Sequence, residues 1–308
     1  TAPADSRLVT DAFVYPYDKQ FNTDTITTNQ AVEFLDTYAG DTPFFLGVSF
    51  VKPHFPYTIQ QEFYDMYASA GIPLPPATPE MINDLSAALK SDRLKFGIDQ
   101  LTPQQNEFCR AIYYGMVTYV DQQFQRILDR LDQLGLRDDT IVIYTSDHGD
   151  LIGQHGMWYK NSFFEGSARV PMIISLPRSF DVSGVSIDAP VNTLDLYPTL
   201  CELLGLTPPT TLEGHSLVPL IDGSDTGESR VAFSENKRLG VAARMVRTNE
   251  YKYCYYEDGF EQLYDITTDR DTETTNLATD PAYNKIRKTL KAMALLDWNP
   301  KGLKDSGD

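Results

Sequence analysis

One stretch leaves this chain little choice of fold. Between Thr102-Pro103 and Gly135, residues Phe108, Ile112, Met116, Val117, Val120, Phe124, Ile127, Leu128, Leu131 and Leu134 recur mostly three and four positions apart. That spacing predicts one long amphipathic helix, opened at Thr102-Pro103 and closed by Gly135. Ile141-Val142-Ile143-Tyr144 follows directly, an apolar and β-branched run expected to be a buried strand. Residues 170–176 read as a second such strand, and residues 44–50, between Pro43 and the turn Lys52-Pro53-His54-Phe55-Pro56, as a third. Ahead of the last, residues 27–38 predict a helix with Ala31, Phe34, Leu35 and Tyr38 on one face, ended by Gly40. Helices alternating with buried strands point to an α/β fold, a mixed or parallel sheet sandwiched by helices.

The rest of the chain changes character twice. Residues 72–100, richer in proline and polar groups, read as an irregular insertion, and residues 194–204 as one more helix closed by Gly205 before the linker Thr207-Pro208-Pro209-Thr210. After Arg230 come short strand-like runs at 231–234, 241–247, 251–256 and 262–266, then a helix over about 282–296. These predict a small C-terminal antiparallel sheet packed against a helix. The expected division is an α/β domain over 1–225 and an α+β subdomain over 226–308.

Composition narrows the partners. With 42% hydrophobic and 12% aromatic residues the chain can build a core, which excludes intrinsic disorder. Its 43 acidic against 26 basic residues, net −17, argue against nucleic acid, which is held by clustered Lys and Arg, and fit a solvated acidic surface. No apolar run approaches a membrane span, and Thr1-Ala2-Pro3-Ala4 lacks a signal-peptide pattern, so a soluble protein is expected. The first residue is Thr, as in a processed or partial product. Cys109, Cys201 and Cys254 form no C-x-x-C pair and read as reduced thiols, the first two buried.

Chemistry concentrates where the strand Ile143-Tyr144 runs into Thr145-Ser146-Asp147-His148-Gly149-Asp150. A carboxylate and an imidazole at the carboxyl end of a buried strand are placed for metal or catalytic work. Equally, Asp147 could cap a following helix and Gly149 permit a left-handed turn. Gly153-Gln154-His155-Gly156-Met157-Trp158-Tyr159-Lys160 is a glycine-punctuated loop with a single Lys, suited to an oxyanion or to solvent. His54, between two prolines after a strand, sits where a general acid would. Arg169 reads as a structural ion-pair partner and His215 as structural.

Together these pieces resemble the sulfatase family of the alkaline-phosphatase-like superfamily. The likeness rests on Thr145-Ser146-Asp147-His148-Gly149, on Gly153-x-His155-Gly156 with Lys160, and on Phe164-Glu165-Gly166-Ser167-Ala168-Arg169-Val170-Pro171. It extends to Phe50-Val51-Lys52-Pro53-His54, to Tyr114-Gly115-Met116-Val117-Thr118-Tyr119-Val120-Asp121, and to Leu263-Tyr264-Asp265 followed by Asn276-Leu277. The stretch from Trp158 to Pro171 is most similar to choline sulfatases, the Lys52-Pro53-His54 turn to iduronate-2-sulfatase and related carbohydrate sulfatases.

The resemblance implies a sulfuric ester hydrolase acting on a small-molecule or oligosaccharide sulfate ester, with a sulfated carbohydrate favoured. Choline-O-sulfate is the alternative, followed by a phosphatase or phosphodiesterase of the same superfamily, or an inactive fragment. It implies that Asp147 and His148 belong to a divalent-cation site, Ca²⁺ or Mg²⁺ in its place, that Lys160 binds ester and leaving oxygens, and that His54 is the sulfate-binding proton donor. Lys52, His155 and Glu235 are the expected substrate contacts. Glu235 with Trp158 or Tyr159 would suit a quaternary ammonium, and Lys237 with Arg238 a uronate. The family's nucleophile, a formylglycine made in a C/S-x-P-S/A-R motif, has no counterpart at Cys109, Cys201 or Cys254, and an early Asp-Asp metal pair is absent too. The chain is therefore expected to correspond to roughly the last two thirds of a sulfatase, with the formylglycine outside it. An exported location would accompany a carbohydrate substrate and a cytoplasmic one choline; a homo-oligomer stays open.

Overall fold

The computed structural model describes residues 12–38, 40, 42–182 and 184–306, so the start Thr1-Ala2-Pro3-Ala4 lies outside the described residues. In its first part the chain runs β1 (Ala12–Tyr15), α1 (Thr23–Thr37), β2 (Tyr57–Gln60), α2 (Gln61–Ala68), α3 (Pro79–Asn83), α4 (Ala87–Lys95) and α5 (Pro103–Gln133). There follow β3 (Val142–Thr145), α6 (Glu165–Ala168), β4 (Met172–Ser175) and α7 (Leu196–Leu203). The last part is β5 (Ala232–Arg238), β6 (Val241–Arg247), β7 (Tyr251–Tyr256), β8 (Glu261–Asp265) and α8 (Asn284–Leu295).

The spine is α5. Thr102 accepts from the Gln105 amide while the Gln105 side chain accepts from the Thr102 amide, with Pro103 in the first turn, so both ends of a capping box are made. Gly135 closes the helix at φ 68°. At Gly115 an added Cβ would stand 3.0 Å from the Phe63 carbonyl, so α2 lies directly on α5 there. Tyr119 on the same helix hydrogen-bonds Thr25 of α1 at 2.6 Å. β1 and β2 pair in parallel (Ala12↔Tyr57), and Tyr57, Ile59 and Phe63 enter the main core with Ile112, Met116 and Tyr119.

Several expectations need correcting. Helix α1 starts at Thr23, because Asn22 caps it by accepting from the Asp24 amide. Residues 72–78 are irregular as expected, but 79–100 are not: Thr78 caps α3, Ser86 caps α4, and Leu85, Leu89, Phe96 and Ile98 are core residues. Residues 44–50 are extended but form no strand. Phe44, Leu46, Val48 and Phe50 pack on Leu35 and Ile127, Phe45 on the other side is 86% exposed, and no ladder partner exists among the described residues. An apolar run reports burial, whereas a strand also requires a neighbour's N–H and C=O groups. β3 and β4, expected to be buried, form an antiparallel pair (Val142↔Ser175) on which Ile173 is 59% exposed. The architecture is mixed α/β.

The C-terminal sheet is a four-stranded antiparallel meander, β5-β6-β7-β8, with Val246, Tyr253 and Leu263 packed on Leu290 and Ala294 of α8. Two buried ion pairs fasten it to the rest. Arg238 grips Asp92 through two 2.9 Å hydrogen bonds, and Lys252 lies between Glu165 (2.5 Å) and Glu273 (2.7 Å). Burial would lower the Lys252 ammonium, but Glu273 and Glu165 carry its pKa above the ordinary lysine value. All three cysteines are buried and free. Among the described residues no helix is long and apolar enough to cross a membrane.

Candidate functional site

Three expected residues meet. Lys160 Nζ lies 2.5 Å from His148 Nε2 and 3.4 Å from His54 Nε2, and the two imidazole centroids are 5.7 Å apart. The tautomers follow from the other ring nitrogens. His54 Nδ1 is 2.7 Å from the Phe55 carbonyl and His148 Nδ1 2.8 Å from the Gly149 carbonyl. A carbonyl only accepts, so both Nδ1 atoms carry hydrogen and both Nε2 atoms turn a lone pair toward the ammonium. The result is a half-exposed cation between two acceptors, ready to exchange a neutral partner for an oxyanion.

The loops are set by contacts distant in sequence. Gly149 is required for space: its amide donates to the Ser167 carbonyl at 2.7 Å, and a Cβ would fall 2.1 Å from the Gly166 carbonyl. Its φ is not positive, so the left-handed-turn reading does not hold, and Asp147 caps no helix. The His54 turn is anchored by buried Asp24, whose carboxylate accepts from the amides of Val51 (2.7 Å) and Lys52 (3.2 Å). Asp150 accepts from Tyr57, Ile152 and Tyr159. Neither aspartate carries a role in the sequence reading. Asp24 lies ahead of the helix expected over 27–38 and in the first turn of the one observed, and Asp150 follows the run Thr145–Gly149 with no pattern that marks it.

The metal expectation divides. Asp147 is 86% exposed, with one oxygen accepting from the His148 amide at 3.0 Å and the other 3.6 Å from His148 Nε2. His148 has no lone pair to give a cation, since Nδ1–H is used by Gly149 and Nε2 faces Lys160. Ca²⁺ takes six to eight oxygens, and among the described residues no group of three or more His, Cys, Asp or Glu could hold a metal. The donors present among the described residues do not fit a complete Ca²⁺ or Mg²⁺ shell.

Other expected contacts lie elsewhere. Lys52 Nζ donates to Thr58, to its carbonyl at 2.7 Å and its hydroxyl at 3.2 Å, and burial lowers its pKa although Asp24 opposes this. His155 is buried and stacked 3.7 Å from Phe164, its pKa lowered to about 4 by burial and then by Lys252, so it faces the core and not a ligand. Glu235 pairs with Arg244 at 3.2 Å, across β5 and β6. Arg238 is committed to Asp92, and Trp158 and Tyr159 are core residues, so each set proposed for substrate charge loses a member. Arg169 pairs with Asp271 and Glu165, as expected of a structural arginine. A polar cavity of about 580 Å³, lined by Arg247, Asn249 and Arg270 among others, shares no residue with the cluster.

A family profile described as Sulfatase matches residues 2–206, and one described as N-sulphoglucosamine sulphohydrolase, C-terminal, matches residues 153–297. The choline-sulfatase of Rhizobium meliloti is 32% identical over 262 residues, covering 81% of this chain and 49% of that protein. Among solved structures, the phosphonate monoester hydrolase of Agrobacterium radiobacter superposes with a TM-score of 0.77 at 27% identity, covering 97% of this chain and 67% of that one. A 2-O GAG sulfatase superposes with a TM-score of 0.70 at 25% identity, covering 96% and 68%. The chain spans about half the length of the curated relatives it matches.

Proposed function

Because the chain belongs to the sulfatase family, we propose that it supplies the anion-holding part of a site that hydrolyses sulfate monoesters. The observation that carries this is the Lys160 ammonium held against His148 and His54. A sulfuryl group entering there draws charge-assisted hydrogen bonds from Lys160, which offset charge gathering on its oxygens as the ester bond breaks. The leaving oxygen needs a proton. His54 can deliver one only through Nε2, since Nδ1–H is engaged by Phe55, so it must first be protonated on the face that now looks at Lys160.

We place the formylglycine nucleophile on polypeptide outside these 308 residues, since the family's motif has no match within them. Asp147 is the one described residue we propose for a cation shell.

For substrate we favour a sulfated carbohydrate, supported by likeness to the N-sulphoglucosamine sulphohydrolase profile and to the 2-O GAG sulfatase. Choline-O-sulfate is the second reading, favoured by the Rhizobium relative. The buried positions of Trp158 and Tyr159 count against it, because a quaternary ammonium needs an accessible aromatic face. A phosphonate or phosphate monoester would present the same tetrahedral anion, as the Agrobacterium neighbour suggests.

Titrating sulfate into the chain should shift the His54 and His148 imidazole signals, and Lys160→Ala should weaken binding about tenfold or more. Titration without any shift would refute the anion site. Turnover of choline-O-sulfate, sulfated sugars and a phosphonate monoester, by the chain joined to the nucleophile-bearing polypeptide, ranks the substrates. Efficient choline-O-sulfate hydrolysis without sugar activity would reverse the preference.

A further inference from the structure

Lys160 stands in a strained stretch of backbone. Ile152 (φ 38°), His155 (φ 53°), Tyr159 (φ 69°) and Asn161 (φ 54°) all lie in the left-handed region, where a β-branched residue such as Ile152 is an outlier. Such conformations persist only where surrounding contacts over-determine them. One side chain holds two of these residues at once. Asp150 Oδ1 accepts from the amides of Ile152 at 2.9 Å and Tyr159 at 3.1 Å, and its Oδ2 accepts from the Tyr57 hydroxyl at 2.6 Å.

The positions of these partners matter. Asp150 follows His148 by two residues, Tyr159 precedes Lys160, and fully buried Tyr57 follows His54 by three. A single buried carboxylate thus joins the three segments that carry the three members of the cluster. Neither of its oxygens is left without a donor, which a carboxylate withdrawn from water requires.

We propose that Asp150 is a positioning residue: together with Tyr57 it sets the distances of His148 and Lys160 from His54, and so the width of the anion site. The proposal rests on reading the cluster as an anion site, but its central measurement needs neither turnover nor ligand.

Side-chain ¹⁵N spectra of the 308-residue chain read the imidazoles directly, there being only 4 histidines. Asp150→Ala should shift Nε2 of both His54 and His148 as Lys160 moves away, and weaken sulfate binding about tenfold or more. Asp150→Asn keeps an acceptor for the two amides and should return the His148 signal and most of the affinity. Tyr57→Phe cuts only the tie to the His54 segment and should shift His54 while leaving His148 in place. If Asp150→Ala does not fold, the other two variants carry the test. Folded variants with wild-type imidazole signals overturn the proposal, whatever happens to affinity, as does a Tyr57→Phe shift equal at both histidines. If the expected pattern appears in a chain that binds no sulfate, the anion reading falls and the positioning role stands.

Discussion

The loop spanning residues 146–161 leaves Lys160 and His148 half exposed on a strained backbone, whereas the β5–β8 sheet locks Arg238, Arg244 and Lys252 into ion pairs on a regular one. Lys252 is shared by Glu165 and Glu273, Arg238 is taken by Asp92, Arg244 by Glu235, and Glu261 takes Arg287 and Lys291 of α8. In the loop the conformation is held by its own Asp150 side chain, tied outward to Tyr57, and by the carbonyls of Gly166 and Ser167 beyond it. In the sheet it follows from strand alternation. The contrast teaches that a side chain's availability depends on the partners the fold brings to it, and that a regular element tends to consume its charges in holding itself.

The hardest test of the sheet as a purely structural region is Lys252→Ala. It strands two carboxylates in a site from which water is excluded, and breaking a buried pair in this way costs about 3–5 kcal/mol. Denaturant melts should show that loss while any surviving folded protein retains sulfate binding. A loss below about 1 kcal/mol would mean that the ion pairs are ornamental and the contrast is wrong.

His155 belongs to the loop by sequence but to the core by burial, so it should behave as the sheet does. Its pKa is lowered to about 4, by burial first, against about 6.5 when unfolded. The unfolded chain therefore binds a proton that the folded one refuses, and stability is full above about pH 6.5 and falls as pH drops toward 4, by up to about 3 kcal/mol. His155→Asn, which tolerates the left-handed backbone, should remove that component of the acid slope. An unchanged slope would show that His155 is not the titrating group.

Gly149→Ala probes the loop through sterics. A Cβ 2.1 Å from the Gly166 carbonyl cannot be accommodated without moving backbone, and overpacking of this kind costs about 1–3 kcal/mol. Since His148 is the preceding residue, sulfate affinity should fall with stability. Intact affinity at reduced stability would separate the loop's packing from its function.

What the sequence disclosed follows the same division. The 3.6-residue period of α5, its Thr102-Pro103 start and the alternation of β5 to β8 are local signals, and they located those elements closely. His54, His148 and Lys160 were legible as residues because rare side chains in glycine- and proline-marked loops stand out, although the contact of His148 with Lys160 was not. Glu235, Lys52 and His155 were named without the partners the structure gives them, because Arg244, Thr58 and Phe164 are brought to them by the fold and not by a local pattern. Asp150 was passed over for the same reason: its weight comes from Tyr57, 93 positions away. The 44–50 run showed its apolar character but not its missing ladder, since pairing is a property of two segments.

The smallest expected effect is the most discriminating for substrate. Glu235 and Arg244 are partly exposed and 3.2 Å apart, a kind of pair worth about 0–1 kcal/mol. Arg244 also donates to the carbonyls of Ala294 and Leu296 and lies 4.6 Å over the Phe233 ring, so it keeps its place without the carboxylate. Glu235→Gln should therefore leave the melting curve within about 1 kcal/mol of wild type and leave sulfate affinity unchanged. A residue contacting the non-sulfated part of a substrate would behave differently. Its loss would spare inorganic sulfate binding but raise KM for one class of ester and not another, because only the ester carries the missing group. Equal KM values for sulfated sugar and choline-O-sulfate in Glu235→Gln and wild type would confine recognition to the loop side of the molecule. A selective rise for either ester would bring β5 into substrate recognition, and the division between a working loop and a structural sheet would no longer describe this protein.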